Sequence, residues 1–223
     1  MPDASQLTPA EARALGCLIE KEITTPEYYP MTLNAVVAAS NQRSNRDPVV
    51  EWDDAVVEAA LDGLRRKRLA VMIHLSGSRV PKYKHTLDAV YGSLDPAMVA
   101  VLCELLVRNF QTPAELRTRT ERLQSIQDLA GLEATAQRLA AYGGGGPLVT
   151  ILPPGGGRRV RTIAHLMSGP VDESVATSSP LVTTAIIPPP ADWKMDMEAE
   201  ISTLKAEVAG LRETVDRLKV LLD

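Results

Sequence analysis

An internal repeat in the first 168 residues constrains the fold of this chain more than any other feature. The tetrapeptide Leu-Thr-Pro-Ala that begins at Leu7 recurs as Leu-Asp-Pro-Ala at Leu94, an offset of 87 residues. A Thr-Pro pair at Thr25 recurs at Thr112 with the same offset, and in both copies we expect it to end a connection and start the next helix. The shared offset indicates that one structural unit occurs twice.

Each copy begins with the residues of a helix start. Thr8 and Asp95 are favourable N-cap residues, and a proline follows each of them at the first helical position, where its missing N–H costs nothing. Glu11 completes a Thr-x-x-Glu capping box with Thr8. The apolar residues that follow recur at helical spacing, so we expect a buried first helix in each unit.

Two further helices and a β-hairpin follow each first helix. In the first copy the apolar spacing predicts helices over 32–41 and 53–68 and strands over 69–75 and 79–85. In the second copy it predicts helices over 113–122 and 131–142 and strands over 147–153 and 158–165. Three helices followed by a hairpin is the order of the winged-helix fold, a variant of the helix-turn-helix. The predicted fold class is mainly α with small β-hairpin wings, an α+β arrangement of two tandem winged-helix domains and a C-terminal coiled-coil helix.

The last thirty or so residues carry a heptad pattern. Its seam residues alternate in steps of three and four and are Ile201, Leu204, Val208, Leu211, Val215 and Leu218. β-Branched residues at a and leucine at d favour a parallel two-stranded coiled coil, so we predict a homodimer through this helix. The alternative is an amphipathic helix that packs on its own domain. The resulting domain plan is a winged helix over 1–90, a second over 91–168, a disordered Pro-rich linker over 169–192 and a dimerising helix over 193–223.

Several stretches resemble the YceH-like family of uncharacterised bacterial proteins, which are tandem winged-helix proteins. The most specific stretch runs Asn-Gln-Arg-Ser-Asn-Arg-Asp-Pro-Val over 41–49, and others cover 7–13, 16–21, 24–30, 111–117 and 165–169. The resemblance spans the whole chain and includes the heptad helix. It implies the fold and no activity, and the Gly-rich run at 143–146 and the long linker depart from the family pattern.

The sequence contains no recognisable catalytic, metal or cofactor motif. His74, His85 and His165 have no Cys or His at metal-ligand spacing, and the glycine runs lack the Lys-Ser/Thr ending of a phosphate-binding loop. We therefore expect no enzyme activity and no cofactor. No secretory signal and no apolar run of roughly 18–20 residues occurs, so we expect a cytoplasmic bacterial protein.

A donor-rich loop and the two wings are the candidate nucleic-acid contacts. The loop over 41–48 is rich in Asn, Gln and Arg, which suit phosphates and base edges, although Asn and Ser also build turns that hold helices apart. Cations at alternating wing positions lie on one face of a strand. The candidate residues are Asn41, Gln42, Arg43, Asn45, Arg46, Arg79, Lys82, Lys84, Arg117, Arg119, Arg158, Arg159 and Arg161.

The distribution of charge along the sequence is compatible with two kinds of function. Residues 1–168 hold 19 Lys and Arg against 18 Asp and Glu, so the repeat region is nearly neutral. The predicted third helix of the first copy exposes Asp53, Asp54, Glu58 and Asp62, which would repel phosphates. The first hypothesis is a dimeric DNA-binding regulator, because two winged helices and a dimer helix suit paired half-sites. The alternative is a non-enzymatic scaffold that binds proteins through its winged helices.

Overall fold

The computed structural model describes residues 6–74, 80–92, 94–154 and 159–171, all within one compact unit, Met1–Ser179. Its helices are α1 (Pro9–Thr24), α2 (Leu33–Ser40), α3 (Asp54–Arg66), α4 (Leu87–Val90), α5 (Pro96–Arg108), α6 (Pro113–Thr120) and α7 (Leu129–Ala140), and a 3₁₀ helix covers Pro26–Tyr28. Its strands are β1 (Met31–Thr32), β2 (Ala70–Ile73), β3 (Lys82–His85), β4 (Val149–Leu152) and β5 (Thr162–His165). The chain is thus a mainly helical α+β protein with small antiparallel sheets.

Some of the predictions fall outside the described residues. These are Arg79, Arg158, nearly all of the linker predicted over 169–192, and the whole of the dimerising helix predicted over 193–223 with its six seam residues. They remain predictions. In the part of the chain that the structure covers, no helix is long and apolar enough to cross a membrane.

Both predicted first helices are confirmed, with their caps. The Glu11 amide donates to Thr8 Oγ1 at 3.2 Å, and the Thr8 amide donates to Glu11 Oε2 at 2.7 Å, which is the reciprocal capping box. The Met98 amide donates to Asp95 Oδ1 at 2.9 Å, so the Asp95 side chain caps α5. Local sequence therefore fixes where both helices begin.

Helices α1 and α5 pack against each other at the centre of the unit. Every residue of α1 from Glu11 to Glu20 is buried. Gly16 makes the close approach possible, since a Cβ at this position would lie 2.6 Å from Val107 Cγ1 and 3.0 Å from Leu106 Cβ. The two halves of the repeat therefore share one continuous core, which includes residues of both helices.

The two small sheets have the same register. In the first half Met31 pairs with Tyr83, and β3 lies between β1 and β2. In the second half Gln111 forms an isolated bridge to Ile163, and β5 pairs with β4. At the end of each hairpin that lies away from the turn, the last residue pair contains a histidine. His85 pairs with Ala70, and His165 pairs with Val149. Both halves thus follow one plan, three helices and then a hairpin, as the repeat predicts.

The predicted equivalence of the two Thr-Pro pairs is wrong. Thr112 caps α6, since its Oγ1 accepts from the Glu115 amide at 3.3 Å. In the first half this role belongs to Thr32, whose Oγ1 accepts from the Ala35 amide at 3.3 Å and caps α2. Thr25 instead precedes the 3₁₀ helix. The first half therefore contains an inserted segment between its first helix and β1, which the shared Thr-Pro pair conceals.

Candidate nucleic-acid interface

The asparagines of the 41–48 loop hold the loop together. The Asn41 Nδ2 donates to the Trp52 carbonyl at 2.7 Å, and the Trp52 amide donates to Asn41 Oδ1 at 2.9 Å. Asn45 has a φ of 58°, and its Oδ1 accepts from Arg108 Nη2 at 2.6 Å. Two of the three side-chain amides predicted to contact bases, Asn41 and Asn45, already have partners in the fold, as the turn-building alternative requires.

Arg46 points into the protein, so we remove it from the predicted interface. It is only 4% exposed. Its Nη2 lies 2.5 Å from Glu20 Oε2, and its Nε donates to the Ala39 carbonyl at 2.9 Å. Its Nη1 donates to Glu20 Oε1 at 3.2 Å and to the Asn45 carbonyl at 2.8 Å. Every guanidinium nitrogen is engaged, which leaves Arg46 unavailable to a phosphate.

A buried charge network continues from Glu20 into the second half of the repeat. Arg122 donates from Nη1 to Glu20 Oε1 and from Nη2 to Glu104 Oε1, each at 2.5 Å. Burial raises the pKa of Glu20, but the hydrogen bonds and charges of Arg46 and Arg122 outweigh it, so its pKa lies below the ordinary value. Burial dominates at Glu104, whose pKa is raised despite the neighbouring Arg122. The network joins α1, the 41–48 loop, α5 and the turn that follows α6.

Sequence reasoning missed this network, although one pattern points to it. Glu20 and Glu104 each occur within the apolar face of a predicted buried helix, beside Ile19 and Cys103 respectively. A carboxylate in such a position must find a cation or be neutralised. The sequence therefore indicates a buried acid at each position, but not which arginine meets it.

Arg13 connects the two ends of the loop. Its Nη1 donates to the Ser40 carbonyl at 2.9 Å, and its Nη2 donates to the Pro48 carbonyl at 2.7 Å. Its guanidinium carbon lies 5.8 Å from the centre of the Trp52 ring, within range of a cation–π contact. Arg13 and Arg46 thus hold the loop from its buried side. Within the loop, only Gln42, Arg43 and Ser44 form no hydrogen bond to another described residue.

Most candidate arginines of the second half are also engaged. Arg119 Nη1 donates to Gln111 Oε1 at 2.7 Å, and Arg117 Nη2 lies 3.4 Å from the Gln127 carbonyl. Arg161 Nη2 donates to Glu133 Oε1 at 2.6 Å. Arg159 is exposed and has no ion pair within the described ranges. The second wing therefore offers less free positive charge than its sequence suggests.

The first wing retains its cations. Tyr83 is buried, and Lys82 and Lys84 on either side of it project from the opposite face of β3. Two arginines at the end of α3, Arg66 and Arg68, are exposed. None of these four side chains forms an ion pair with another described residue. We call Arg66, Arg68, Lys82 and Lys84 the basic rim.

A hydrogen bond connects the two elements that carry the rim. The Arg68 carbonyl accepts from Thr86 Oγ1 at 2.8 Å, which ties the end of α3 to the end of β3. The neighbouring cations are neutralised, because Arg65 pairs with Asp62 at 2.7 Å and Lys67 pairs with Glu11 at 2.6 Å. The sequence contains the basic run 65–68, but only the ion pairs separate its free members from its engaged ones.

The first two turns of the third helices expose few groups that read bases. On α3 the exposed residues include Ala55, Glu58 and Ala59, and on α7 they include Ala130 and Ala134. Base edges are read by donors and acceptors such as Arg, Asn and Gln, which are absent from these five positions. Contact with a nucleic acid on this face would therefore carry little sequence information.

The histidines lie apart from one another. His85 Nε2 lies 2.6 Å from Glu22 Oε2, and His74 is exposed. His165 is buried, its Nδ1 has no hydrogen-bond partner among the described residues, and burial lowers its pKa to about 4. No group of three His, Cys, Asp or Glu side chains that could hold a metal ion occurs within the described ranges.

Comparison with known proteins shows similarity to uncharacterised bacterial proteins. Residues 7–158 match the family model described as "Protein of unknown function, DUF480". A UPF0502 protein of Pelobacter propionicus is 47% identical over 217 residues, which is 96% of each chain. UPF0502 proteins of Geotalea uraniireducens and Aeromonas hydrophila are 47% and 43% identical, and each alignment covers at least 95% of both chains.

Proposed function

The chain belongs to the DUF480 (UPF0502) family of uncharacterised bacterial proteins, and from its geometry we propose that it binds double-stranded DNA through phosphate contacts. In this proposal each half is a winged-helix unit of the YceH-like type. The element order supports it, since α1, α2 and α3 precede the β2–β3 hairpin and α5, α6 and α7 precede the β4–β5 hairpin. The protein has no catalytic role in this account.

The observation on which the proposal rests is the basic rim. Its four cations lie at the wing and at the end of the third helix, and none is neutralised by a described carboxylate. Wing and third helix are the elements that a winged helix brings to a duplex. Each phosphate contact by Lys or Arg releases a counterion, which makes such cations the main source of sequence-independent affinity.

The proposed binding discriminates weakly between sequences. Phosphate contacts position a protein on DNA, whereas side chains at base edges specify the sequence. The first two turns of α3 and α7 expose acidic and apolar side chains but no Arg, Asn or Gln. We therefore propose that affinity depends on the rim and on Arg43, with little contribution from base edges.

Dimerisation through residues 193–223 is part of the proposal. The heptad pattern in that segment supports a parallel homodimer. Two rims on one dimer would double the number of phosphate contacts and raise the apparent affinity through effective concentration. The cytoplasmic location expected from the sequence is compatible with this function.

The experiment is duplex binding by the full-length protein, measured by fluorescence anisotropy at low salt. The test variant is Lys82→Ala/Lys84→Ala, which removes two rim charges. The control is Lys21→Ala, which removes a charge from α1 outside the rim, the wings and the third helices. We expect the rim variant to bind more weakly than the control variant. Equal binding by the two variants, or no binding by the unmodified protein, would contradict the proposal.

A second candidate function is docking of a partner protein. The observation that favours it is the acidic exposed face of α3, where Asp53, Asp54 and Glu58 are all exposed. Such a face repels phosphates and attracts a basic polypeptide. The two functions use different surfaces of the first half and are tested independently.

A further inference from the structure

The third helices of the two halves correspond position by position in their caps and buried residues. Asp53 caps α3 and Asp128 caps α7, and each Oδ1 accepts from the amide three residues later, at 3.0 and 2.7 Å. The buried positions of the two helices then correspond, for example Val57 with Leu132. In this alignment Glu58 of α3 is equivalent to Glu133 of α7.

The two glutamates differ in their partners. Glu133 accepts from Arg161 Nη2 at 2.6 Å, and Arg161 directly precedes β5. Because Tyr83 and Ile163 hold the same place in the two sheets, the residue equivalent to Arg161 is Pro81. Proline has no cation to offer. Glu58 is exposed and forms no hydrogen bond or ion pair within the described part of the chain.

The small residues beside the glutamate are the same in both helices. Ala55 lies three residues before Glu58 and Ala59 directly follows it, as Ala130 and Ala134 are placed around Glu133, and all four alanines are exposed. At about 100° per residue both alanines lie on one side of the glutamate, so that side carries only small side chains. Only the second half supplies its own guanidinium to the glutamate.

We propose that the α3 face formed by Asp54, Ala55, Glu58 and Ala59 is a docking site for an arginine-containing segment of a partner protein. The partner's guanidinium takes the position relative to Glu58 that Arg161 takes relative to Glu133. Guanidinium and carboxylate match in geometry and form charge-assisted hydrogen bonds. The exposed carboxylates of Asp53 and Asp54 add long-range attraction for a basic segment and disfavour a nucleic acid.

This inference does not rest on DNA binding, since the α3 face and the basic rim have opposite charge. An exposed ion pair contributes little by itself, so the site needs several cations in one segment and binds weakly and reversibly. The segment is recognised by its charge and by the room above the alanines. A lysine-containing segment would bind less well because its ammonium lacks the planar fork.

The test uses the full-length protein and a synthetic peptide of alternating arginine and alanine. A peptide of the same length with alternating glutamate and alanine is the control. Amide shifts in nuclear magnetic resonance spectra report both the affinity and the location. We expect the arginine peptide to shift amides of α3 and to bind Glu58→Gln about threefold to tenfold more weakly. The matched control is Glu133→Gln, which should bind like the unmodified protein because Arg161 already occupies that carboxylate.

A second variant tests the site without removing the acid. Pro81→Arg places a guanidinium at the position equivalent to Arg161, and we expect it to compete with the peptide and weaken its binding. Circular dichroism and thermal melting verify that both variants fold. The proposal is overturned if Glu58→Gln and Glu133→Gln weaken binding equally, since that would indicate unspecific attraction. It is also overturned if Glu58→Gln leaves peptide binding unchanged and instead strengthens duplex DNA binding.

Discussion

The Cys103 thiol on α5 donates a hydrogen bond to the Gly16 carbonyl on α1 at 3.4 Å, across 87 residues of sequence. This separation equals the offset of the repeat, so the two residues hold the same position in their respective helices. Equivalent positions of the two first helices thus meet where α1 and α5 pack against each other.

The crossing at Gly16 leads to the first prediction. A Cβ there would meet Val107 Cγ1 at 2.6 Å, and Val107 is β-branched and buried, so it yields little. We expect Gly16→Val to lower the free energy of unfolding by about 1–3 kcal/mol through overpacking, measured by urea denaturation. Gly143→Ala is the control, because nothing lies within 4 Å of its Cβ position. Equal stability of the two variants would show that α1 and α5 do not cross at Gly16.

Substitution of the buried Arg46 is predicted to lower the stability of the protein, whereas substitution of the nearby Arg43 is not. Its side chain is 0% exposed and that of Glu20 is 2% exposed. Removing one partner of a buried pair leaves an uncompensated charge, so Arg46→Ala should cost about 3–5 kcal/mol of stability. Arg43→Ala, three residues earlier and exposed, should change stability by about 0.5 kcal/mol or less. Chemical denaturation of both variants checks this, and a mild effect at Arg46 would argue against the buried network.

Because the His165 imidazole is buried, we expect the stability of the protein to depend on pH. Burial lowers its pKa from 6.5 to about 4, so between these values the unfolded state binds a proton that the folded state does not. Stability therefore falls as the pH falls through this window, by about 2 kcal/mol between about pH 7 and pH 5. His165→Leu should flatten this slope, and His74→Leu, at an exposed position, should leave it unchanged. An unaltered slope in the His165 variant would mean that this imidazole is solvated.

The proposed homodimer is tested at a seam position. Leu211 occupies d of the heptad pattern, and an aspartate there would put a charge into the coiled-coil seam. We expect the full-length protein to sediment as a dimer and Leu211→Asp to sediment as a monomer at micromolar concentration. Glu207→Gln, at a flanking position, is the control and should remain dimeric. A monomeric unmodified protein would contradict the prediction and favour the helix packing on its own domain.

Elements whose causes are local were predictable from the sequence. The capping hydrogen bonds of Thr8, Glu11 and Asp95 join residues three positions apart, and they form as expected. The hairpins follow from short apolar runs next to turn residues, and β2 and β3 lie within the predicted ranges. The same local reasoning failed at Thr25, because the strand that follows it is defined by pairing with a distant residue, Tyr83.

Whether an arginine side chain points into the protein or into solvent could not be predicted from the sequence. Arg43 and Arg46 occur in one loop and have the same chemistry, yet one is exposed and the other is buried. The difference is due to Glu20, which is 26 residues away in the sequence and lies on α1. Likewise Arg161 is neutralised by Glu133, 28 residues away, while Lys84 is not neutralised. Which cations remain free for a ligand is therefore a tertiary property.

Duplex binding as a function of salt tests the central claim most directly. Log affinity should fall linearly with log salt, with a slope of about −0.9 for each phosphate contact. For the full-length protein we predict a steep slope between about 50 and 200 mM salt, similar for duplexes of unrelated sequence. Lys82→Ala/Lys84→Ala should make this slope shallower by about one to two contacts, and Lys21→Ala should not change it. A slope that is the same in both variants, or the absence of duplex binding at low salt, would contradict the assignment of the basic rim as a DNA-binding surface.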